Sequence, residues 1–100
     1  MANRPKIRFT TRASREIEAA AFWYEEQRSG LGSEFMRSFE ARLASIQRAP
    51  LLFAETHRKD VRRALMKRFP YGVFFRTSED FIDIISVFHT RRNPEQTRFR

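Results

Sequence analysis

The run Phe81-Ile82-Asp83-Ile84-Ile85-Ser86-Val87-Phe88 is almost continuously apolar. It predicts a central strand covered on both faces, because an edge or half-exposed strand would alternate apolar with polar residues. Such a strand needs neighbours at its edges and a layer above it, and the rest of the chain reads as both. Upstream, residues about 61–69 and about 72–77 form two further strands around Pro70-Tyr71-Gly72, with Ser78-Glu79-Asp80 as the turn into the apolar run. Ile7-Arg8-Phe9, bounded by Pro5 and Thr10-Thr11, reads as a short first strand.

Between these strands lie two amphipathic stretches. Thr10 or Thr11 caps the first, where Ala13, Ile17, Ala20, Ala21 and Tyr24 recur on one stripe. Phe22 and Trp23 sit beside that stripe and widen it near its end; Trp23-Tyr24 could stack bases, but on a stripe with Ile17 the pair is expected in the core. Ser29-Gly30-Leu31-Gly32-Ser33 interrupts the pattern, with Gly30 suited to a left-handed helix end and Ser33 to capping the next helix. Phe35, Met36, Phe39, Leu43 and Ile46 then repeat at helical spacing until Ala49-Pro50 stops them. The expected fold is α+β in the order β-α-α-β-β-β: a small, mainly antiparallel sheet with a helical hairpin packed on one face. One hundred residues are read as one domain, 1–100. With 41% apolar residues and eleven Phe there is ample material for a core.

Charge narrows the partners. The chain carries 20 Lys and Arg against 12 Asp and Glu, a net +8. Residues 1–55 hold a basic surplus of two and residues 56–100 a surplus of six. A positive field is therefore expected over one side of the sheet, suited to nucleic acid or an acidic protein segment. Arg outnumbers Lys 17 to 3, which favours bidentate grips on phosphate or carboxylate. There is no cysteine, no apolar run of signal-peptide type at the start, and no window approaching the roughly 18 apolar residues of a spanning helix. A soluble, cytoplasmic protein with no membrane partner is the expectation.

The chemistry on offer is sparse. His57 and His89 are the only histidines, and neither has carboxylates at ligand spacing, so no metal site is expected. The three glycines form no phosphate loop, and no cofactor motif is present. A triad of Ser86, His89 and Asp83 exists on paper, but residues three apart on a strand face opposite sides. What remains is His89 at the end of the apolar strand, with Lys67 and Arg68 before the turn. A histidine that moves a proton and guanidiniums that hold phosphate suffice for metal-free RNA cleavage. Against this stands the plainer role of a strand-end histidine that anchors the chain by hydrogen bonds. Arg62, Arg63, Arg76, Arg91 and Arg98 complete the cations available to a polyanionic or protein target. Arg62 and Arg63, as strand neighbours, point opposite ways, so only one serves a given face. Asp83, inside the apolar strand, is expected to pair with a cross-strand Arg76.

Several of these stretches carry a family resemblance. Trp23-Tyr24-Glu25 ends the first helix, Gly30-Leu31-Gly32 precedes Phe35, and Pro50 closes the second helix. Val61-Arg62-Arg63-Ala64-Leu65, Arg68-Phe69-Pro70-Tyr71, and His89 followed by Arg92 and Pro94 come after. In this order, over about residues 6–95, the set resembles the RelE/ParE superfamily of toxins from type II toxin–antitoxin pairs, formerly labelled plasmid stabilisation proteins. The resemblance implies a cognate antitoxin whose extended or helical segment wraps the toxin, a possible hetero-oligomer, and growth inhibition by free toxin. It also implies one of two targets. RelE-like members cut messenger RNA on the ribosome without metal, and the matching positions here are Arg68 and Arg92, with Lys67 nearby and His89 as a substitute proton carrier. ParE-like members act on DNA gyrase. Residues 93–100 hold neither Tyr nor His, a departure from the nuclease pattern that favours the ParE-like action. A non-toxic nucleic-acid-binding module is the third reading.

Overall fold

Thr10 shows how the chain turns from strand to helix. Its hydroxyl accepts the Ala13 N–H (3.0 Å) and donates to the Ile85 carbonyl (2.8 Å). One side chain thus caps the first helix and fixes its start beside the apolar strand. The computed structural model describes residues 4–91. Strand β1 (Lys6–Phe9) leads into helix α1 (Thr11–Gln27) and helix α2 (Leu31–Arg48), followed by a 3-10 turn at Pro50–Leu52. Strands β2 (Arg62–Leu65), β3 (Tyr71–Thr77) and β4 (Phe81–His89) complete the order expected from the sequence.

The sheet order is β1-β4-β3-β2, with β1 parallel to β4 and the other two pairings antiparallel. The apolar run is therefore an interior strand, as its composition requires. Helices α1 and α2 cover one face, where Phe35, Phe39, Val73, Phe75, Ile82 and Ile84 form the centre of the main core. On the other face Val61, Phe74 and Phe88 make a smaller cluster with Ile85 against it. A bulge in β4 sets this division. Phe75 stands opposite Ile84 and Phe74 opposite Ser86, so Ile85 faces no residue of β3. The extra residue reverses the alternation, turning Val87 toward the helices and Phe88 away from them.

Five local expectations change. The helix connection is residues 28–30 rather than five residues, and α2 is capped by Gly30 at φ 90° rather than by Ser33. Ser33 is unnecessary there because Glu25 of α1 reaches across, accepting the Gly30 N–H (3.0 Å) and the Gly32 N–H (3.0 Å). That carboxylate sits at the positive end of α2. The strand expected at 61–69 is only Arg62–Leu65, because the chain then turns, with Met66 N–H donating to the Tyr71 carbonyl (2.9 Å). Trp23 lies outside the core and is 55% exposed, whereas Tyr24 stacks with Phe35 at 5.3 Å. One residue is about 100° of helix, which suffices to carry Trp23 off the stripe that Tyr24 still shares. Finally, Asp83 pairs with Arg8 of β1 rather than Arg76, through two hydrogen bonds of 2.7 and 3.1 Å. Arg76 does stand opposite Asp83 in register, but Arg8 holds the equivalent place on the other neighbouring strand.

Candidate functional site

The end of β4 is where the fold brings the most chemistry together. His89 closes the strand opposite Tyr71, their rings edge to face at 5.2 Å. Its Nδ1 accepts the Arg91 N–H (3.1 Å), so the neutral ring carries its proton on Nε2. His89 lines two cavities at once, one on each side of the sheet end.

The first is a groove of about 710 Å³ on the sheet face away from the helices. Phe74, Gly72 and Leu65 line its floor, Arg63 and His89 flank it, and His57 contributes from the loop before β2. Gly72 keeps the floor low, since a Cβ there would lie 3.3 Å from the Phe74 ring. Arg42 of α2 also lines this groove, and its buried Nε has no hydrogen-bond acceptor among the described residues. The second cavity, about 660 Å³, runs between α1 and β4, lined among others by Arg15, Glu16, Trp23, Tyr24 and Tyr71. Burial pushes the Tyr24 phenol above its usual pKa, with Tyr71 adding to the shift, so it stays a neutral hydrogen-bonding group.

The expected site residues divide between these surroundings. Arg63 and His89 share the open-face groove, and Arg91 is next to His89 in the turn. Arg62 points the opposite way, as its position beside Arg63 required, and donates to the Phe53 carbonyl at 2.6 Å. There it pins the loop before β2, with Glu55 at 3.8 Å. Arg76 lies exposed on β3. Arg68 is held by Glu34 of α2 at 2.7 Å, with Arg28 at 3.5 Å from the same carboxylate. The Arg68 hydrogen bond, aided by Arg28, holds the Glu34 carboxyl below its ordinary range. Lys67 lines a separate small recess of about 120 Å³ with Ser38, Ala41, Arg42 and Ser45 of α2. Arg92 and Arg98 lie outside the described residues.

Residues 7–94 match the family model described as the ParE toxin of the type II toxin–antitoxin system, parDE. The chain belongs to this family. No curated protein sequence matches it to significance. Among solved structures it is similar to a chain of the chromosomal ParDE system from P. aeruginosa, with TM-score 0.77 and 16% identity over 87% of this chain and 97% of that one. It is also similar to a chain of the toxin–antitoxin complex RelBE2 from Mycobacterium tuberculosis, with TM-score 0.61 and 18% identity over 87% and 99%. At these identities the likeness is one of fold.

Within this ParE-family chain the paper triad dissolves. Ser86 Oγ donates to Glu16 (2.6 Å), Asp83 binds Arg8, and His89 accepts from its own turn. Each of the three has a different partner. Glu16 also accepts the Val87 N–H at 2.9 Å, so one carboxylate of α1 satisfies the edge of β4 where β1 has ended. Neither Glu16 nor Arg42 stood out in the sequence. On an amphipathic helix both read as solvated charge, and only the packing of helix on sheet gives them roles. The bulge at Ile85 left no local sign either, since Ile85-Ser86 continues an apolar run with a small polar residue.

Proposed function

We propose that the chain is the toxin of a type II toxin–antitoxin module, neutralised by a cognate antitoxin and inhibiting growth in the cytoplasm through DNA gyrase. The observation that carries the toxin reading is the family match over residues 7–94. The choice of gyrase is supported by how the described cations are used. Arg68 is engaged by Glu34 and Lys67 lies in a recess with α2, whereas His89, at the same end of the sheet, lines other cavities. RNA cleavage would require acid, base and cations to surround one phosphorus atom.

The test is induced expression in a bacterial host, alone and with the adjacent reading frame. The expected result is growth arrest relieved by the neighbour, intact messages by primer extension, and loss of supercoiling by purified gyrase. A second reading, ribosome-dependent cleavage of messenger RNA, is favoured by the open-face groove, where Arg63, Arg42, His57 and His89 line a concave aromatic floor. New message ends at codon-linked positions, with gyrase unaffected, would establish it instead. A module that only binds nucleic acid predicts no arrest and tight, steeply salt-dependent binding.

A further inference from the structure

Lys67 is a phosphate-binding candidate in the sequence, yet it lines neither of the cavities that His89 lines. It closes instead the recess of about 120 Å³ formed with Ser38, Ala41, Arg42 and Ser45. These four residues of α2 are spaced three, one and three apart, so they form one stripe along two turns of the helix. Ala41 keeps the middle of the stripe low, and the turn between β2 and β3 brings Lys67 to it.

The recess is rich in donors that lack acceptors. Neither the exposed Lys67 side chain nor the Ser38 hydroxyl has a hydrogen bond or ion pair among the described residues. Arg42 Nε is buried and has no acceptor among them either. The Arg42 guanidinium lies 5.7 Å from the centre of the Phe53 ring, a contact that gives its N–H groups no oxygen. An unpaired buried donor is a cost, relieved when an acceptor comes within reach. Ser45 differs, because its hydroxyl donates to the Ala41 carbonyl of its own helix (3.2 Å). No carboxylate lines the recess among the described residues. Glu34, one turn before Ser38, is taken by Arg68 and Arg28. Two cations and a hydroxyl therefore share a space that holds no counter-charge.

Size and donor type select the ligand. A volume of about 120 Å³ is the liquid share of roughly four waters, room for one tetrahedral oxyanion but not for an attached nucleoside. A phosphate group offers a separate oxygen to each donor: the ammonium binds it as a point charge, the guanidinium in its plane, and the hydroxyl by donation. We infer that this recess binds a single phosphate group between Lys67, Arg42 and Ser38, as inorganic phosphate or as the end of a small phosphomonoester. The Arg42 guanidinium turns into the recess on binding, which gives Nε–H an acceptor and ties α2 to the turn between β2 and β3. The site is independent of the toxin reading, since binding requires neither the target nor the antitoxin.

The probe is inorganic phosphate, titrated calorimetrically into the purified full chain at constant ionic strength set with chloride. Saturable binding of one phosphate per chain is expected, with the amide resonances of Ser38, Arg42 and Lys67 moving together during the titration. Lys67→Ala weakens binding roughly tenfold or more, the worth of a charge-assisted hydrogen bond. Ser38→Asp fixes a carboxylate in the recess and abolishes it. Lys59→Ala removes the same charge from an exposed position outside the recess and changes affinity less than about twofold, as a screened distant charge should. Glycerol phosphate separates the two sources. Competition at equal or better affinity assigns the site to phosphomonoesters, and failure to compete assigns it to the free ion. Absence of saturable binding, or equal losses in Lys67→Ala and Lys59→Ala, overturns the site in favour of a diffuse positive field. Equal competition by an oligonucleotide with hydroxyls at both ends overturns it too, because any phosphate backbone would then suffice. The resonance shifts are read on the unaltered chain, so a variant that fails to fold leaves the test decided.

Discussion

Single carboxylates on the helices tie this molecule's elements together. Glu34 is one, bridging α2 to Arg68 and Arg28. Its carboxyl is held below the ordinary value of about 4.5, so the folded state binds that proton less readily than the unfolded chain. The stabilisation is thus present above the ordinary glutamate range and is lost as pH falls through the folded pKa. In urea unfolding, Glu34→Gln is expected to be less stable than wild type at pH 7, with the gap closing in acid. An equal gap at both pH values would rule out the ion pair as its source. Glu16 acts by hydrogen bonding instead. Glu16→Ala leaves the fully buried Ser86 hydroxyl and the Val87 N–H without their acceptor, a cost of about 1–3 kcal/mol for each group left unsatisfied. Equilibrium unfolding measures it, and an unchanged midpoint would mean that the edge of β4 finds other partners. The Thr10 cap and the Gly30 turn were legible in the sequence because their chemistry lies within four residues of where it acts. Glu16, Arg8 and Arg42 were not, because their partners lie on other elements.

The helical hairpin is set by how closely α2 approaches α1. At Gly32 a Cβ would fall 2.7 Å from the Ala21 carbonyl oxygen, against backbone that cannot swing aside. Gly32→Ala is therefore expected to destabilise by about 1–3 kcal/mol, the usual cost of forcing atoms into a packed interface, although alanine is the better helix former. Thermal unfolding checks this, and a stabilised variant would show that the hairpin opens without penalty. The exposure of Trp23 has a different origin, the extent to which the sheet covers α1. Its neighbours Ala20 and Tyr24 were assigned correctly from the helical period, but the width of the buried stripe depends on how much of α1 the sheet covers. Near the end of α1 the sheet packs against Tyr24 but not Trp23, which is left on the cleft beside β4. The element order and the interior position of β4 followed from apolar patterning alone. The parallel pairing of β1 did not, because four residues between Pro5 and Thr10 fit either direction.

At the scale of the whole chain, the basic excess of residues 56–100 is not one patch. Arg62 serves the loop before β2, Arg68 serves α2, and Arg63 lines the open face with His89. Part of the positive charge thus does structural work that a charge count cannot distinguish from target binding. This separates the two candidate actions by experiment. If gyrase is the target, the double variant Arg68→Ala, Arg92→Ala retains toxicity and still inhibits supercoiling, with a modest loss of stability from the Glu34 contact. If the chain cuts messenger RNA, the same variant loses toxicity while antitoxin binding survives, because the phosphate would lose its cations. Growth assays with both variant and wild type, each paired with circular dichroism and antitoxin binding, distinguish these outcomes. A folded, antitoxin-binding but harmless double variant would exclude the gyrase reading as proposed and move the search to Arg63, His57 and His89 in the open-face groove.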